Sequence, residues 1–490
     1  MKWLLLCLSL SSSAAWALDG TDDLVESVEN SGIPERDLSL LALEGTGRNA
    51  RVLLSLNPNQ AMIPASVTKL VTAAAALREF PPGTRFETRL LANGNQKGKL
   101  LNGDLVLKGG GDPSFKPSVL AELVSEFART GIREIRGDIL VDDSYFDSVR
   151  IDASRSDTDR VDRAYDAPVG AMSFNWNTVA IYVRPAQLAG APAQVFVEPA
   201  TDYIRLRGEV NTGVGRGRPR VGVRRIADPS HPGDTIVVNG FIGQQVSEVM
   251  AYKNITQPDI WSGENLKQEL RRQGIELTGR VRHGAASFGS RTLASVRGDT
   301  VQEIVVEMNK ASNNFVAEML TKNLSAHSQP PGNLERGMVI IREYLRSLGL
   351  SALEYTLVNP SGLTRDNKLS ARALVRVLQD MGGNFQHSAE YLASLPIAGV
   401  DGTLRRRLRN TPAERFIRAK TGYIDNVVTL AGYAGNKNGK IVAFAFLYNG
   451  KVPPYRVRKL YDDLCEELAA PEESKPSKPW RPPAPAPAGR

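Results

Sequence analysis

Ser66 and Lys69 stand three residues apart in "MIPASVTKL", at the head of the apolar run "VTAAAAL". On a helix that spacing puts both side chains on one face, one above the other. A serine hydroxyl is a weak nucleophile until a neighbouring base takes its proton. Lysine is such a base only when partly neutral, a condition that burial or a nearby second cation creates. The positive field of a helix N-terminus would favour negative charge developing on Ser66. A helix cap followed by a solvated lysine has the same spelling, although this is the only Ser-x-x-Lys of the chain.

Two further clusters weigh against that reading. "KASNNF" places Ser312, Asn313 and Asn314 between two helical segments, and "RAKTGY" places Lys420, Thr421 and Gly422 at a strand end. Ser-x-x-Lys, then Ser-x-Asn, then Lys-Thr-Gly is the ordered signature of penicillin-recognising serine enzymes.

The chain therefore resembles the penicillin-binding proteins, and among them the class C D-alanyl-D-alanine carboxypeptidase/endopeptidases. Ser66 and Ser312 lie 246 residues apart, a far longer interval than in β-lactamases and simple carboxypeptidases, and a β-rich insertion fills it. "NPSGLTRDNKLS" (Asn359–Ser370) is similar to the family's Ser-Gly-Leu-Ser-Arg stretch, with Thr364 in place of the second serine. The resemblance runs to about Ala470.

It implies that Ser66 attacks the carbonyl between two D-alanines and forms an acyl-enzyme. Lys69 is then the general base, its pKa lowered by Lys420 across the cleft. Ser312 relays a proton to the departing amine, and Asn314 holds Lys69 or the substrate amide. Lys420 and Thr421 bind the terminal carboxylate through charge-assisted bonds. Gly422 leaves room for substrate along the strand edge, and the N–H groups of Ser66 and Tyr423 form the oxyanion hole. Arg365 assists with carboxylate. No cofactor and no metal is implied. The partners implied are peptidoglycan peptides and, as covalent inhibitors, β-lactam antibiotics. Within the insertion, "VDDSYFD" offers Asp142, Asp143 and Asp147 as candidates for the ammonium of a diamino acid, or as a solvated turn. A β-lactamase is the competing enzyme, but no deacylating glutamate is identifiable. A cell-wall binding protein without catalysis is the competing non-enzyme.

These residues need elements to hold them. The resemblance implies an α+β, penicillin-binding/β-lactamase-like domain: a five-stranded antiparallel sheet flanked by helices. The texture of the chain supports a split domain. Strands are expected at Leu38–Glu44 and Arg51–Leu56, then a helix from Pro64 to Leu77. Short β-like runs broken by glycine and proline occupy the middle, followed by helices such as "SGENLKQELRRQG", with Ser262 as N-cap and Gly274 as C-cap. Strands at Phe416–Thr421 and Asn426–Ala434, a turn at Asn436–Gly439 and a last helix over Val457–Leu468 complete the pattern. The expected division is 18–84 with 255–470 as the catalytic domain and 85–254 as an insertion of two nested modules. Residues 471–490, proline-rich and lacking branched aliphatics, are read as a disordered tail.

The remaining features concern location and partners. Residues 1–17 read as a signal peptide, with Lys2 before an apolar run and Ala15-Trp16-Ala17 as the cleavage site, so export to the periplasm is expected. Cys7 lies in that leader and Cys465 is left alone, which excludes a disulfide framework. His231, His283, His327 and His387 are scattered singly, a poor pattern for a metal site. The net charge of +8 permits attraction to polyanions, or peripheral contact with wall or membrane surfaces. No nucleic-acid module accompanies it. The basic run "TLRRRLRN" reads as a solvated surface.

Overall fold

The computed structural model describes residues 18–45, 50–155, 162–435 and 439–470. The expected signal peptide, Cys7, most of the expected Asn436–Gly439 turn and the expected tail lie outside the described residues.

The body formed by the two ends of the chain is built on a sheet with spatial order Arg51–Leu56, Leu38–Glu44, Ile441–Asn449, Val427–Gly435, Ile417–Ile424, every pair antiparallel. A two-residue strand, Asp19–Gly20, adds a sixth member outside Arg51–Leu56. Alternation along the strands fills two cores. In Ile441–Asn449, Val442, Phe444, Phe446 and Tyr448 pack with the helices Asp22–Asn30 and Pro454–Ala469. Ala443, Ala445 and Leu447 face the opposite, larger helical layer.

At the centre of that layer runs the helix Thr68–Glu79, buried without a break from Thr68 to Leu77. A helix apolar on all sides belongs inside. Its four alanines admit the helices Val301–Lys310, Asn314–Ser328, Leu334–Ser347 and Ala371–Gly383 close around it. Pro64 and Ser66 lie outside it: Ala65–Val67 forms a separate 3₁₀ turn, so the expected Pro64 start is corrected to Thr68.

The chain leaves this body at Thr84 and re-enters at Val301, whose N–H donates to Thr84 O at 2.8 Å. Between them lies a seven-stranded sheet whose long members are Arg85–Lys97, Leu100–Lys108 and Arg291–Thr300. Two smaller sheets follow, one centred on Thr178–Arg184 and one on Asp234–Gly243. The expected boundary at 254 is therefore corrected. Glu276–Leu277, Val281–His283 and Arg291–Thr300 pair with insertion strands. The helix Pro258–Arg272 buries Trp261, Leu266 and Leu270 in the same core. Ser262 is inside that helix, its hydroxyl donating to Pro258 O at 2.7 Å rather than capping. Gly274 closes the segment with φ +69°.

Candidate active site

The Ser66 turn is clamped from three sides. Ala65 has φ +48°, a left-handed conformation that costs an L-residue energy and needs enforcement by its surroundings. Asn449, at the end of a central strand, accepts from Ile63 N at 2.8 Å and donates to Ile63 O at 3.1 Å. Thr429 Oγ1 donates to Pro64 O at 2.8 Å. Gly362, φ +81°, lies so close that a Cβ there would stand 1.9 Å from Ala65 O. Gly422 plays the same part on the other side. Its Cβ would come within 2.2 Å of Thr429 Oγ1 and 3.0 Å of Ser66 N. The glycine of Lys-Thr-Gly thus lets the strand approach the backbone of Ser66 itself, a tighter demand than room for a substrate.

At the start of the buried helix, as its second residue, Lys69 has its Nζ 3.1 Å from Ser66 Oγ, 2.7 Å from Asn314 Oδ1 and 2.6 Å from Ser361 O. A neutral amine has two N–H donors and one lone pair. Asn314 Oδ1 and Ser361 O accept two of the Lys69 N–H groups, so that loss of the third proton leaves the lone pair directed at Ser66 Oγ. Burial, reinforced by the charge of Lys420, holds the Lys69 pKa well below the ordinary lysine value, with Glu318 pulling the other way. Burial is thus the larger cause and the second cation the smaller.

Ser312 follows the helix Val301–Lys310 with φ +57°, and Asn313 caps the next helix by accepting from Val316 N at 3.3 Å. This tight junction aims Ser312 and Asn314 into one cleft. Lys420 Nζ donates to Ser312 Oγ at 2.8 Å and to Thr421 O at 2.9 Å, and burial lowers its pKa to about 7. Thr421 Oγ1 is 2.8 Å from Thr403 Oγ1.

Ser66, Lys69, Ser312, Asn314, Lys420, Thr421 and Gly422 are therefore brought together from three distant stretches. Two expected members stand further out. Arg365 is exposed and donates to Asp425 O at 2.9 Å. The Tyr423 ring is half exposed beneath the Arg458 guanidinium. The three insertion aspartates are committed within the protein: Asp142 to Ser144 and Lys108, Asp143 to Arg150, Asp147 to Lys322.

Sequence reasoning missed Ser361, Thr403 and a buried ion pair behind the site. Ser361 acts through its carbonyl, which no residue type advertises, and it is fixed by an asparagine network. Asn359 Oδ1 accepts from Ser361 N at 2.9 Å, while Asn367 Nδ2 donates to Asn359 O at 2.7 Å. Arg155 grips Glu318 with Nε–Oε1 and Nη2–Oε2 distances of 2.9 and 2.7 Å, one helical turn beyond Asn314. Among the described residues, no His, Cys, Asp and Glu grouping suited to a metal ion is present.

Residues 43–468 match the D-Ala-D-Ala carboxypeptidase 3 (S13) family. The chain is 31% identical to the D-alanyl-D-alanine carboxypeptidase of Actinomadura sp. (strain R39) over 418 residues, 82% of this chain and 76% of that protein. It is 26% identical to D-alanyl-D-alanine carboxypeptidase DacB of Haemophilus influenzae over 403 residues, 82% of this chain and 83% of the relative. The crystal structure of penicillin-binding protein 4 from Haemophilus influenzae shares the fold, with a TM-score of 0.74 at 24% identity, covering 91% of this chain and 97% of that one.

Proposed function

We propose, from the premise that this chain belongs to the D-Ala-D-Ala carboxypeptidase 3 (S13) family, that it is a periplasmic class C penicillin-binding enzyme. It removes terminal D-alanine and also hydrolyses D,D-cross-links of peptidoglycan through an acyl-enzyme on Ser66. The observation that carries this reading is the Lys69 amine, buried among acceptors and 3.1 Å from Ser66 Oγ.

Lys69 takes the Ser66 proton as Oγ bonds to the carbonyl carbon of the penultimate D-alanine. The negative oxygen that forms is met by the N–H groups of Ser66 and Tyr423. When the C–N bond breaks, Ser312, itself bonded to Lys420, hands a proton to the departing amine. Water then attacks the ester, a proton returns to Ser66, and the shortened peptide leaves as a carboxylate. Lys420 and Thr421 hold the leaving fragment's carboxylate, fixing the bond for attack. Arg365, at the rim, adds a further cation for carboxylate. The leader, Lys2 to Ala17, supports export with cleavage after about Ala17.

β-Lactams acylate the same serine. A solved structure of the Haemophilus influenzae relative holds a β-lactam. Incubation with a fluorescent penicillin followed by a denaturing gel tests the reading. Covalent label on the wild type and none on Ser66→Ala is expected; label that persists on Ser66→Ala overturns it.

A further inference from the structure

Beyond the carboxylate clamp lies a second cleft, of about 680 Å³, walled by Glu307, Lys310, Ala311, Gly402, Thr403, Arg405 and Arg406. It adjoins both groups that handle the leaving fragment, through a neighbour of each. Ala311 directly precedes Ser312, and Thr403 is bonded to Thr421 at 2.8 Å. The cleft therefore continues the active site on the side where the departing amine exits.

Its walls are fixed while its cations are free. Lys310, at the end of its helix, is paired with Asp401, whose Oδ1 also accepts from Ile397 N at 2.9 Å. Arg407 is tied to Asp462 of the C-terminal helix at 2.5 Å. Between these anchors the guanidinium groups of Arg405 and Arg406 are exposed and, among the described residues, without an ion-pair or hydrogen-bond partner. Glu307 is the one carboxylate in the lining and leaves a positive excess. The basic run "TLRRRLRN" is thus divided: Arg407 anchors it, and Arg405 and Arg406 line a cleft beside Thr421.

A carboxypeptidase releases a single D-alanine whose one carboxylate the clamp already holds, so it has no use for more cations behind the clamp. Cleavage of a cross-link releases a whole second stem. That stem carries further carboxylates past the diamino acid held at the clamp, and guanidinium groups bind carboxylates as planar forks. We propose that the cleft of Thr403, Arg405 and Arg406 is a leaving-strand subsite that receives the anionic second stem of a D,D-cross-linked peptide. The subsite rests on the reading of Ser66 as the acylated residue and Thr421 as the clamp, and adds no chemical step to it.

The test uses the full-length exported protein, a soluble D,D-cross-linked muropeptide dimer and the uncross-linked pentapeptide monomer. Arg405→Gln/Arg406→Gln is expected to lower kcat/KM on the dimer by about tenfold or more, the scale of one lost charge-assisted hydrogen bond. D-Ala release from the monomer and penicillin labelling should be unchanged. Added salt should weaken wild-type turnover of the dimer and barely affect the variant. An equal loss on both substrates, no loss on either, or reduced binding to whole sacculi with normal dimer cleavage overturns the subsite. So does a wild type that trims the monomer and leaves the dimer uncut. A wild type that neither labels nor trims overturns the acyl-enzyme reading instead, and the subsite with it.

Discussion

Asn314 Oδ1 lies 2.7 Å from Lys69 Nζ, joining helices whose residues are 245 positions apart in the chain. The same asparagine donates through Nδ2 to Tyr165 O at 3.2 Å, so its amide orientation is fixed by the insertion. An oxygen facing Lys69 takes one N–H and turns the amine's lone pair toward Ser66. Lys69→Ala should therefore slow penicillin acylation by about 10²–10⁴-fold, the usual worth of a positioned base, with the fold retained. Stopped-flow labelling checks the rate and circular dichroism the fold. Labelling at the wild-type rate would remove Lys69 from the mechanism.

Lys420 carries a stability cost. Its folded pKa, about 7, lies below the ordinary value near 10.4. Between those two values the unfolded chain binds more protons than the folded one, so stability rises with pH across that window. Lys420→Met removes the cost of burying the amine. It should raise Tm at pH 7 by at least about 2 °C, roughly the effect of 1 kcal/mol on a large domain. The gain should shrink toward pH 10, where the unfolded lysine also loses its proton, while D-Ala release is lost. A Tm gain that stays constant from pH 7 to 10 contradicts a lowered Lys420 pKa.

What was legible in the sequence was side-chain chemistry at fixed spacing. Ser66 and Lys69 stand three apart and meet, although Ser66 lies in the 3₁₀ turn before the helix, and Ser312, Asn314 and Lys420 announce themselves by type and order. The Ser361 carbonyl gave no such signal, because every residue has one. Nor did Ala65, whose positive φ is imposed by Asn449, Thr429 and Gly362 from far along the chain. The insertion's end was misplaced at 254 for a related reason. Helix grammar marks where Pro258–Arg272 starts and stops, but not that Trp261 packs into the insertion's core. Strand pairing such as Arg291–Thr300 with Arg85–Lys97 is likewise a long-range fact.

Gly422→Ala should damage the nucleophile rather than the substrate path. The added methyl group meets Thr429 Oγ1 and Ser66 N, both held by the turn it would displace. Penicillin acylation should fall by about tenfold or more, since small displacements of reacting groups are costly. Gly383→Ala is the contrasting control, at a helix end where a Cβ meets nothing within 4 Å. It should leave acylation unchanged and stabilise by about 0.4–1 kcal/mol through the unfolded chain. If both variants acylate at the wild-type rate, the close approach of strand and turn is not needed for chemistry.

Behind the site, Arg155 and Glu318 are only 5% and 2% exposed, and Arg155 also donates to Asp166 O and Ala167 O at 3.0 Å each. The insertion thereby supplies the counter-charge for a carboxylate on the helix Asn314–Ser328. The charged groups acting on Lys69 are Lys420, which depresses its pKa, and Glu318, which raises it. Arg155 offsets the second. Arg155→Met would leave Glu318 buried and unpaired, a change that typically costs about 3–5 kcal/mol. The bare carboxylate would also raise the Lys69 pKa, so the acidic limb of the acylation profile should move to higher pH. Replacing both partners, Arg155→Met/Glu318→Met, removes the stray charge; it should restore much of the Tm and return the limb to or below its wild-type position. Thermal melts and penicillin acylation rates from pH 5 to 9 measure both effects. A single variant that loses stability while its acidic limb stays in place would assign the pair a purely structural role.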